Sequence, residues 1–428
     1  MWASKMMASQ GVPRAAPQYS GNGVAAATAN QIPLAVNGSA DANVPASRPE
    51  WQLVLAQTPI STAWNGNQGQ IEFNIQCAEF GKIQNALVQF TATFTTNDND
   101  ISLPSTPYWL DHADIYTPDG KIIETLYSDS IFVDSCSFIT DQELNTVAPL
   151  YNLNTDPALA AYTLADPLPT GVTTRTYWLP LASSFFCASQ PYLRGCGNGF
   201  FKVKLYLSTS LKASGAGGST LVVSGLTSNL WVQEAALSPE VEQALDQLHA
   251  SAGGAVYNSL VHNRLSLNTS VQTAYGNQIL LLAGLNCQAA ALYFQFKIDD
   301  LVTHTLDRIE VASMYLTDAG GNQLTQNFPV QLIESIIAPQ VTPVSSYFIN
   351  SNSTTYLFPF CTNLQRCIDS GKKLGSMPFT GNERINITLG ATALTANNRL
   401  NVIAYQYASM VVKNGSVRMV VPGASDSV

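Results

Sequence analysis

From Trp51 onward the chain alternates polar and apolar residues with a period of two. Gln70-Ile71-Glu72-Phe73-Asn74-Ile75-Gln76 does so without a fault. Lys202-Val203-Lys204-Leu205-Tyr206-Leu207 and Arg384-Ile385-Asn386-Ile387-Thr388-Leu389 do the same. Such alternation marks strands with one buried face. Asn414-Gly415 stands between Met410–Lys413 and Ser416–Val420. It predicts a hairpin, because a two-residue turn of this kind needs positive φ at both central residues. One helix interrupts the β pattern, over 238–252. Ser238 is its N-cap, Pro239 suits its first position, and Glu240 and Glu242 favour the positive end of its dipole. Val241, Leu245 and Leu248 share one face, and Gly253-Gly254 ends it.

The strand pattern occurs twice. Thr62-Ala63-Trp64-Asn65-Gly66-Asn67-Gln68 resembles Thr273-Ala274-Tyr275-Gly276-Asn277-Gln278. Ala86–Phe90 resembles Ala291–Phe296, and Ile115–Gly120 resembles Met314–Gly320. Thr176-Tyr177-Trp178-Leu179-Pro180-Leu181 resembles Thr355-Tyr356-Leu357-Phe358-Pro359-Phe360, and Val203–Leu207 resembles Ile385–Leu389. The five matches keep their order, which points to tandem duplication. Copy one carries roughly 20 more residues between Tyr116 and Tyr177. That excess, near 141–174, is rich in Pro and Thr and is expected to be a loop insertion without core residues. In copy two, Thr362 is expected to cap a short helix over Asn363–Ser370 that Gly371 stops.

These signals divide the chain into five parts. Residues 1–49 are an extended arm, rich in Ala, Asn, Gln, Ser and Pro and without hydrophobic period. The first β unit spans 50–236, with the insertion near 141–174. A connecting helix lies within 237–254, a second β unit spans 255–416, and a tail covers 417–428. Two closed antiparallel units of this size suggest two sandwiches or jelly rolls.

Composition narrows the function. Charged residues make up 11% of the 428, against about 25% in an ordinary soluble domain. The hydrophobic fraction is an ordinary 46%, so Asn, Gln, Ser and Thr stand in for the missing charge. That argues against a disordered chain or a coiled coil. With 20 basic residues and a net charge of −9, the chain has no basic footprint for a nucleic-acid backbone. No apolar run of about 7–15 residues follows Met1–Ala8, so no secretory signal is expected. Ile279–Phe296 is the most apolar stretch, but its polar interruptions suit buried strands better than a membrane span.

Candidate chemistry is thin. The four histidines (His112, His249, His262 and His304) form no pair with metal-ligand spacing. No nucleophile elbow or phosphate-binding loop occurs, and Gly195-Cys196-Gly197-Asn198-Gly199 leads into a strand, which makes it a turn. Asn97-Asp98-Asn99-Asp100 starts like a calcium loop but lacks the later glycine and glutamate. Asp114, Glu124, Asp129, Asp134, Asp299, Asp300, Asp307 and Glu310 lie near strands. Nothing in their spacing selects a catalytic pair, and solvated strand ends are expected. The seven cysteines are Cys77, Cys136, Cys187, Cys196, Cys287, Cys361 and Cys367. They are irregularly spaced and read as free, buried thiols. Cys187/Cys196 and Cys361/Cys367 occupy similar places after the two Pro-containing strands. The N-x-S/T triplets at Asn37, Asn268, Asn352, Asn386 and Asn414 carry no weight without a signal peptide. No catalytic, cofactor-binding or metal-ligating residue is assigned, and no cofactor is expected.

The layout resembles a known family, the double jelly-roll major capsid proteins of tailless double-stranded DNA viruses, of the tectivirus type. The resemblance is carried by Thr176–Leu181, by the strand-turn-strand around Ile115-Tyr116-Thr117-Pro118-Asp119-Gly120-Lys121, and by Leu400–Tyr407 as the closing strand region. It covers about residues 50–416, and the chain departs from it in the insertion near 141–174 and the helix at 238–252. It implies an all-β fold of two tandem eight-stranded jelly rolls with short helices and an extended N-terminal arm. It further implies a non-enzymatic homotrimer with a pseudo-hexagonal outline, built into an icosahedral virion shell assembled in the host cytoplasm. The arm would lock neighbouring capsomers, penton and minor capsid proteins would be further partners, and an internal membrane would be touched but not spanned. No sequence-specific nucleic-acid binding is implied. Two rivals share the architecture. One is a secreted tandem jelly-roll carbohydrate-binding or carbohydrate-active protein, with Trp51, Trp64, Trp109, Trp178 and Trp231 as stacking platforms. The other is a minor capsid or spike protein.

Overall fold

The computed structural model describes residues 50–57, 69–97, 101, 103–152, 168–181, 183, 185–186, 191–208, 220–235, 237–298, 309–345 and 355–421. The arm at 1–49, Trp64, Asp98–Asp100, Cys187, Asp299, Asp300, His304, Asp307 and Asn352 lie outside them.

The first β unit contains β1 (Glu50–Leu55), β2 (Gln70–Gln76), β3 (Lys82–Thr96), β4 (Leu110–Tyr116), β5 (Ile122–Tyr127), β6 (Gly171–Pro180), β7 (Phe200–Leu207) and β8 (Leu221–Ala235). They form two antiparallel sheets, ordered β1-β8-β3-β6 and β2-β7-β4-β5. The second unit contains β9 (Ala255–Asn268), β10 (Asn277–Leu281), β11 (Asn286–Ile298), β12 (Val311–Thr317), β13 (Phe328–Pro329), β14 (Thr355–Pro359), β15 (Met377–Thr380), β16 (Arg384–Leu389), β17 (Asn398–Lys413) and β18 (Ser416–Val420). Here β9 pairs with β17, β17 with β11 and β11 with β14, while the facing sheet runs β10-β16-β12-β13. The strand orders of the two units are the same once β15 and β18 are set aside. Each unit is therefore an eight-stranded jelly roll, and the second repeats the first.

The period-two strands bury the residues that the pattern selects. Ile71, Phe73 and Ile75 are fully buried, as are Val203 and Leu205, and they face Val88, Phe90 and Phe94 of the opposing sheet in one core. Leu292, Phe294 and Phe296 meet Ile385, Ile387 and Leu389 in the second roll's core. Asn414 and Gly415 take φ of 49° and 79° and turn β17 into β18, as the hairpin signal requires. Val417 of β18 is buried in the first roll's core, so the expected tail begins as a packed strand.

The dividing helix runs Pro239–Ala250, with Leu245 buried and Val241 and Leu248 packed beside it. Ser238 occupies the N-cap backbone conformation, but its hydroxyl accepts no backbone N–H. The short helix of copy two runs Leu364–Ser370, and its cap is Asn363 rather than Thr362. Asn363 Oδ1 accepts from the N–H of Arg366 at 2.8 Å. Gly371 stops the helix in the left-handed region at φ 63°.

One expectation fails in an informative way. The segment expected as a coreless loop insertion opens with a helix, Asp141–Val147, held by a capping box. Thr140 Oγ1 accepts from the N–H of Glu143, and the Glu143 carboxylate accepts from the N–H of Thr140. Leu144, Val147, Ala148 and Tyr151 are buried in a cluster shared with the second roll. The apolar residues of this stretch find their cover on the neighbouring roll rather than in their own.

Candidate functional site

Two extended surfaces stand out among the described residues. They are the outer faces of the β9-β17-β11-β14 sheet and of the β1-β8-β3-β6 sheet.

The outer face of β9-β17-β11-β14 is covered from within the chain. Directly after β5 the backbone enters a helix, Ser128–Phe132, that widens into a π-helical turn over Val133–Ser137. Phe132, Val133, Phe138, Leu144 and Tyr151 pack on Leu260, Tyr293, Leu357, Ile403 and Tyr405. The Phe138 ring lies 6.1 Å from Tyr293, edge to face, and 6.3 Å from Tyr405.

A polar network is buried in the same junction. His262 of β9 sits between two carboxylates of the first roll. Its Nδ1 and its backbone N–H both meet Glu124 Oε1, at 2.9 and 3.0 Å. Its Nε2 lies 2.9 Å from Asp134 Oδ2, an ion-pair contact. Asp134 Oδ1 accepts from the Tyr405 hydroxyl. Glu124 Oε2 accepts from Ser183 Oγ at 2.6 Å. Asp129 Oδ2 accepts from Asn401 Nδ2 at 2.9 Å and lies 3.4 Å from Arg264 Nη2, whose guanidinium stacks over Tyr127. The His262 side chain is only 5% exposed. Burial alone would lower its pKa, but Asp134 and then Glu124 outweigh burial and push it up to about 10. The imidazolium is therefore charged at neutral pH and ties both carboxylates of one roll to the other. Burial also raises the Tyr405 and Tyr293 hydroxyls, so both stay protonated, and Tyr405 donates to Asp134.

A second contact joins the rolls near the dividing helix. His249 Nε2 and the Tyr257 hydroxyl are 2.7 Å apart, and the N–H of Tyr192 donates to that hydroxyl at 3.3 Å. Burial lowers the His249 pKa, against a smaller opposing effect of the Gly195 backbone. Gly195 permits this approach, because a Cβ there would lie 1.6 Å from His249 Nδ1.

The outer face of β1-β8-β3-β6 has no such cover among the described residues. Trp51, Leu53 and Leu55 project from the edge strand, and Trp231 of β8 stands opposite Leu53. Further across the sheet come threonine pairs, Thr91 with Thr176 and Thr93 with Thr174, each with hydroxyls 2.9 Å apart.

The candidate residues fall out as follows. The expectation of solvated strand ends fails for Asp114, Glu124, Asp129 and Asp134, none of which exceeds 5% exposure. Burial became affordable for three of them because cationic and hydroxyl partners arrive from the other roll; Asp114 instead accepts from Tyr116 and Thr125. Glu310 is exposed and accepts from the N–H of Ala391. His112 stacks on Tyr206 at 4.2 Å and bonds Asp111. Gly195–Gly199 is a turn into β7, as expected, with Gly197 at φ 83°.

Cys77, Cys196, Cys287, Cys361 and Cys367 are buried free thiols. Cys361 and Cys367 are hydrogen-bonded neighbours, as are Cys77 and Cys196; Cys187 lies outside the described residues. Trp109 is fully buried among Phe90, Phe94 and Tyr177 and cannot be a stacking platform. Among the described residues no group of His, Cys, Asp or Glu is placed to hold a metal ion. None of the described helices is long and apolar enough to cross a membrane. Sequence reasoning missed the His262 network altogether, because its members come from separate copies of the repeat.

No family model and no curated protein matches the chain. Solved structures do match, at low identity and nearly full length. The chain is similar to VP54 of the virus PBCV-1, with 14% identity, a TM-score of 0.62, and coverage of 89% of this chain and 98% of that one. It is similar to the Faustovirus major capsid protein, with 11% identity, a TM-score of 0.55, and coverage of 85% and 90%. It is similar to the mavirus major capsid protein, with 14% identity, a TM-score of 0.52, and coverage of 95% and 96%. The fold is thus one found in viral major capsid proteins, two jelly rolls in tandem, as the sequence layout implied.

Proposed function

We propose that this chain is a major capsid protein, a structural component that builds a virion shell. The observation that carries this reading is the repetition of one jelly roll along a single chain, with the two copies fixed side by side by a buried junction. A rigid pair of similar rolls gives three copies of the chain six similar corners. The assembling unit is a homotrimer with a pseudo-hexagonal outline, and such units tile an icosahedral surface. The low charge fits the role. Asn, Gln, Ser and Thr can be covered by neighbours and hydrogen-bonded without the desolvation cost of an unpaired charge.

The arm at 1–49 locks neighbouring capsomers on the inner side, over an internal membrane that it touches. Penton and minor capsid proteins complete the shell, which assembles in the host cytoplasm. The proposed role is structural, not enzymatic. Mass in solution tests the core of this reading. A stable particle of three 45.9-kDa chains is expected, and a monomer at every concentration overturns it. Deleting residues 1–40 is expected to leave trimers intact by light scattering and to prevent shells. Normal shells from that truncation would remove the arm from the account.

A further inference from the structure

Two thiols meet where the second roll adds to the inter-roll cluster. Cys361 lies just past the end of β14, and Cys367 sits in the helix Leu364–Ser370. The turn between strand and helix brings their side chains into hydrogen-bond contact. Tyr407 of β17 completes the group. Its hydroxyl lies 3.3 Å from Cys367 Sγ and 2.9 Å from the Gly375 carbonyl. That hydroxyl has one proton and two acceptors, so it serves either the sulfur or the carbonyl. The N–H of Leu374 donates to the same hydroxyl at 3.3 Å.

These neighbours fix how the pair ionises. The Cys361 S–H, then the Tyr407 hydroxyl and the Leu374 N–H, outweigh burial and hold the Cys367 thiol down to about 6. The same contact and burial push Cys361 up. At neutral pH the group is therefore a thiolate with a thiol beside it. Cys287 is the contrast, because burial pushes it up to about 12 and keeps it protonated. In the other contacting pair, Cys196 faces an acceptor, the Tyr192 carbonyl at 3.8 Å, and both thiols lie in the first roll's core.

The pair is sheltered by a segment that can open. Cys361 is 7% exposed, and Gly371–Ser376 beside it has no regular structure. This segment lies so close that a Cβ on Gly375 would stand 3.0 Å from Cys361 Cα. It is tied down by the Thr362 N–H, which donates to the Leu374 carbonyl at 3.1 Å, and by the Tyr407 hydroxyl. An irregular segment held by a few bonds opens locally at small cost, which admits a molecule the size of a peroxide.

We propose that Cys361 and Cys367 form a site of reversible oxidation that hydrogen peroxide closes to a disulfide. The Cys367 thiolate attacks one peroxide oxygen. An S–O bond forms, the O–O bond breaks and hydroxide leaves. That hydroxide takes the Cys361 proton and becomes water. The Cys361 sulfur then attacks the Cys367 sulfur, so an S–S bond forms, the S–O bond breaks and a second hydroxide leaves. The two sulfurs give up two electrons, and the peroxide oxygens receive them. With no thiolate left to serve, Tyr407 keeps its proton on the Gly375 carbonyl. The new bond fastens the end of β14 to the helix whose Leu364 and Ile368 are buried in the inter-roll cluster. None of this depends on the assembly reading.

The test treats the reduced full-length chain with hydrogen peroxide at neutral pH and maps its peptides without reductant. Loss of two free thiols is expected, with a Cys361–Cys367 linked peptide, Cys287 still free, and both thiols returned by dithiothreitol. Cys361→Ser removes the second attack and is expected to stop at a sulfenic acid on Cys367, which dimedone labels. Cys367→Ser is expected to leave Cys361 unlabelled. The proposal is overturned if peroxide consumes other thiols while Cys361 and Cys367 stay free. A link from either of them to a third cysteine also overturns it, as does dimedone on Cys361 in Cys367→Ser. Circular dichroism checks that the serine variants fold, and if they do not, the peptide map of the unsubstituted chain still decides.

Discussion

The outer faces of the two strand-matched sheets began as copies and now have opposite characters. The covered face of the second roll presents Tyr293, Ile403, Tyr405 and Tyr407, with His262 and Arg264 paired to carboxylates of the first roll. The exposed face of the first roll presents Trp51, Leu53 and Leu55 at one edge, threonine pairs beyond them, and Val222 and Val172 paired with Thr95. The difference follows from when each face loses its water. A face covered by its own chain is dry from folding onward, so it can hold charges whose partners are always present. A face that stays wet must remain soluble, so it keeps hydroxyls among its apolar groups.

The largest way to break this contrast is to remove the cation from the covered face. His262→Leu leaves Glu124 and Asp134 buried without their shared partner. A loss of about 3–5 kcal/mol is expected in urea unfolding, because the uncompensated carboxylates carry the cost. An equal substitution on the open face, Leu53→Asp, is expected to change the stability of the single chain by no more than about 0.5 kcal/mol. Similar losses at both positions would mean that the two faces are equally committed to the fold.

Alkaline titration removes the same charge while keeping the ring, so a smaller loss is expected. The folded pKa of His262, about 10, lies above its ordinary value of 6.5. Folding therefore takes up a proton, and the stabilisation is complete below pH 6.5 and drains away as the pH rises toward 10. Other groups titrate in this range, so the readout is the difference between the native chain and His262→Leu. That difference should shrink steadily from pH 6.5 to 10. A constant difference would show that packing, not charge, holds the junction. Tyr405→Phe comes next. It removes one charge-assisted hydrogen bond to Asp134 and should cost about 1.5–3 kcal/mol by the same unfolding measurement.

How much of this was legible in the sequence varies with the range of the interaction. The strands β2, β7 and β16 are written in strict alternation, the β17–β18 hairpin in Asn414-Gly415, and the dividing helix in its first turn and its Gly-Gly stop. The duplication was legible because β order is conserved where side chains are not. The helix Asp141–Val147 had a local signal in Thr140-Asp141-Gln142-Glu143, a capping box, but the Pro- and Thr-rich stretch around it read as loop. The His262 network had no local signal. Glu124 and His262 are 138 residues apart, and their contact depends on how one roll sits against the other. The carboxylates looked solvated because charge near a strand end usually is, and only the second roll's arrival removes the water. The open and covered faces were also indistinguishable in pattern, since period two reports which residues alternate and not which face acquires a cover.

The smallest effect sharpens the comparison by asking how far across its sheet the open face is used. Thr174→Val removes one hydroxyl from the exposed pair with Thr93 and keeps a β-branched side chain suited to a strand. On the single chain the expected change in unfolding free energy is within about 0.5 kcal/mol, since the pair is exposed and both hydroxyls have water as a substitute. The informative quantity is the same substitution measured on the proposed trimer, as the concentration at which it dissociates. Thr174 lies on β6, at the opposite edge of the sheet from Trp51 on β1. An unchanged dissociation concentration keeps the footprint of the contact between chains away from Thr174 and its partner Thr93. A shift in that concentration, with single-chain stability unchanged, extends the footprint across the threonine pairs and makes their hydroxyls part of the contact. In that case the polar surface of this chain is a binding surface in its own right, and its low charge follows from having to be covered reversibly on one face and permanently on the other.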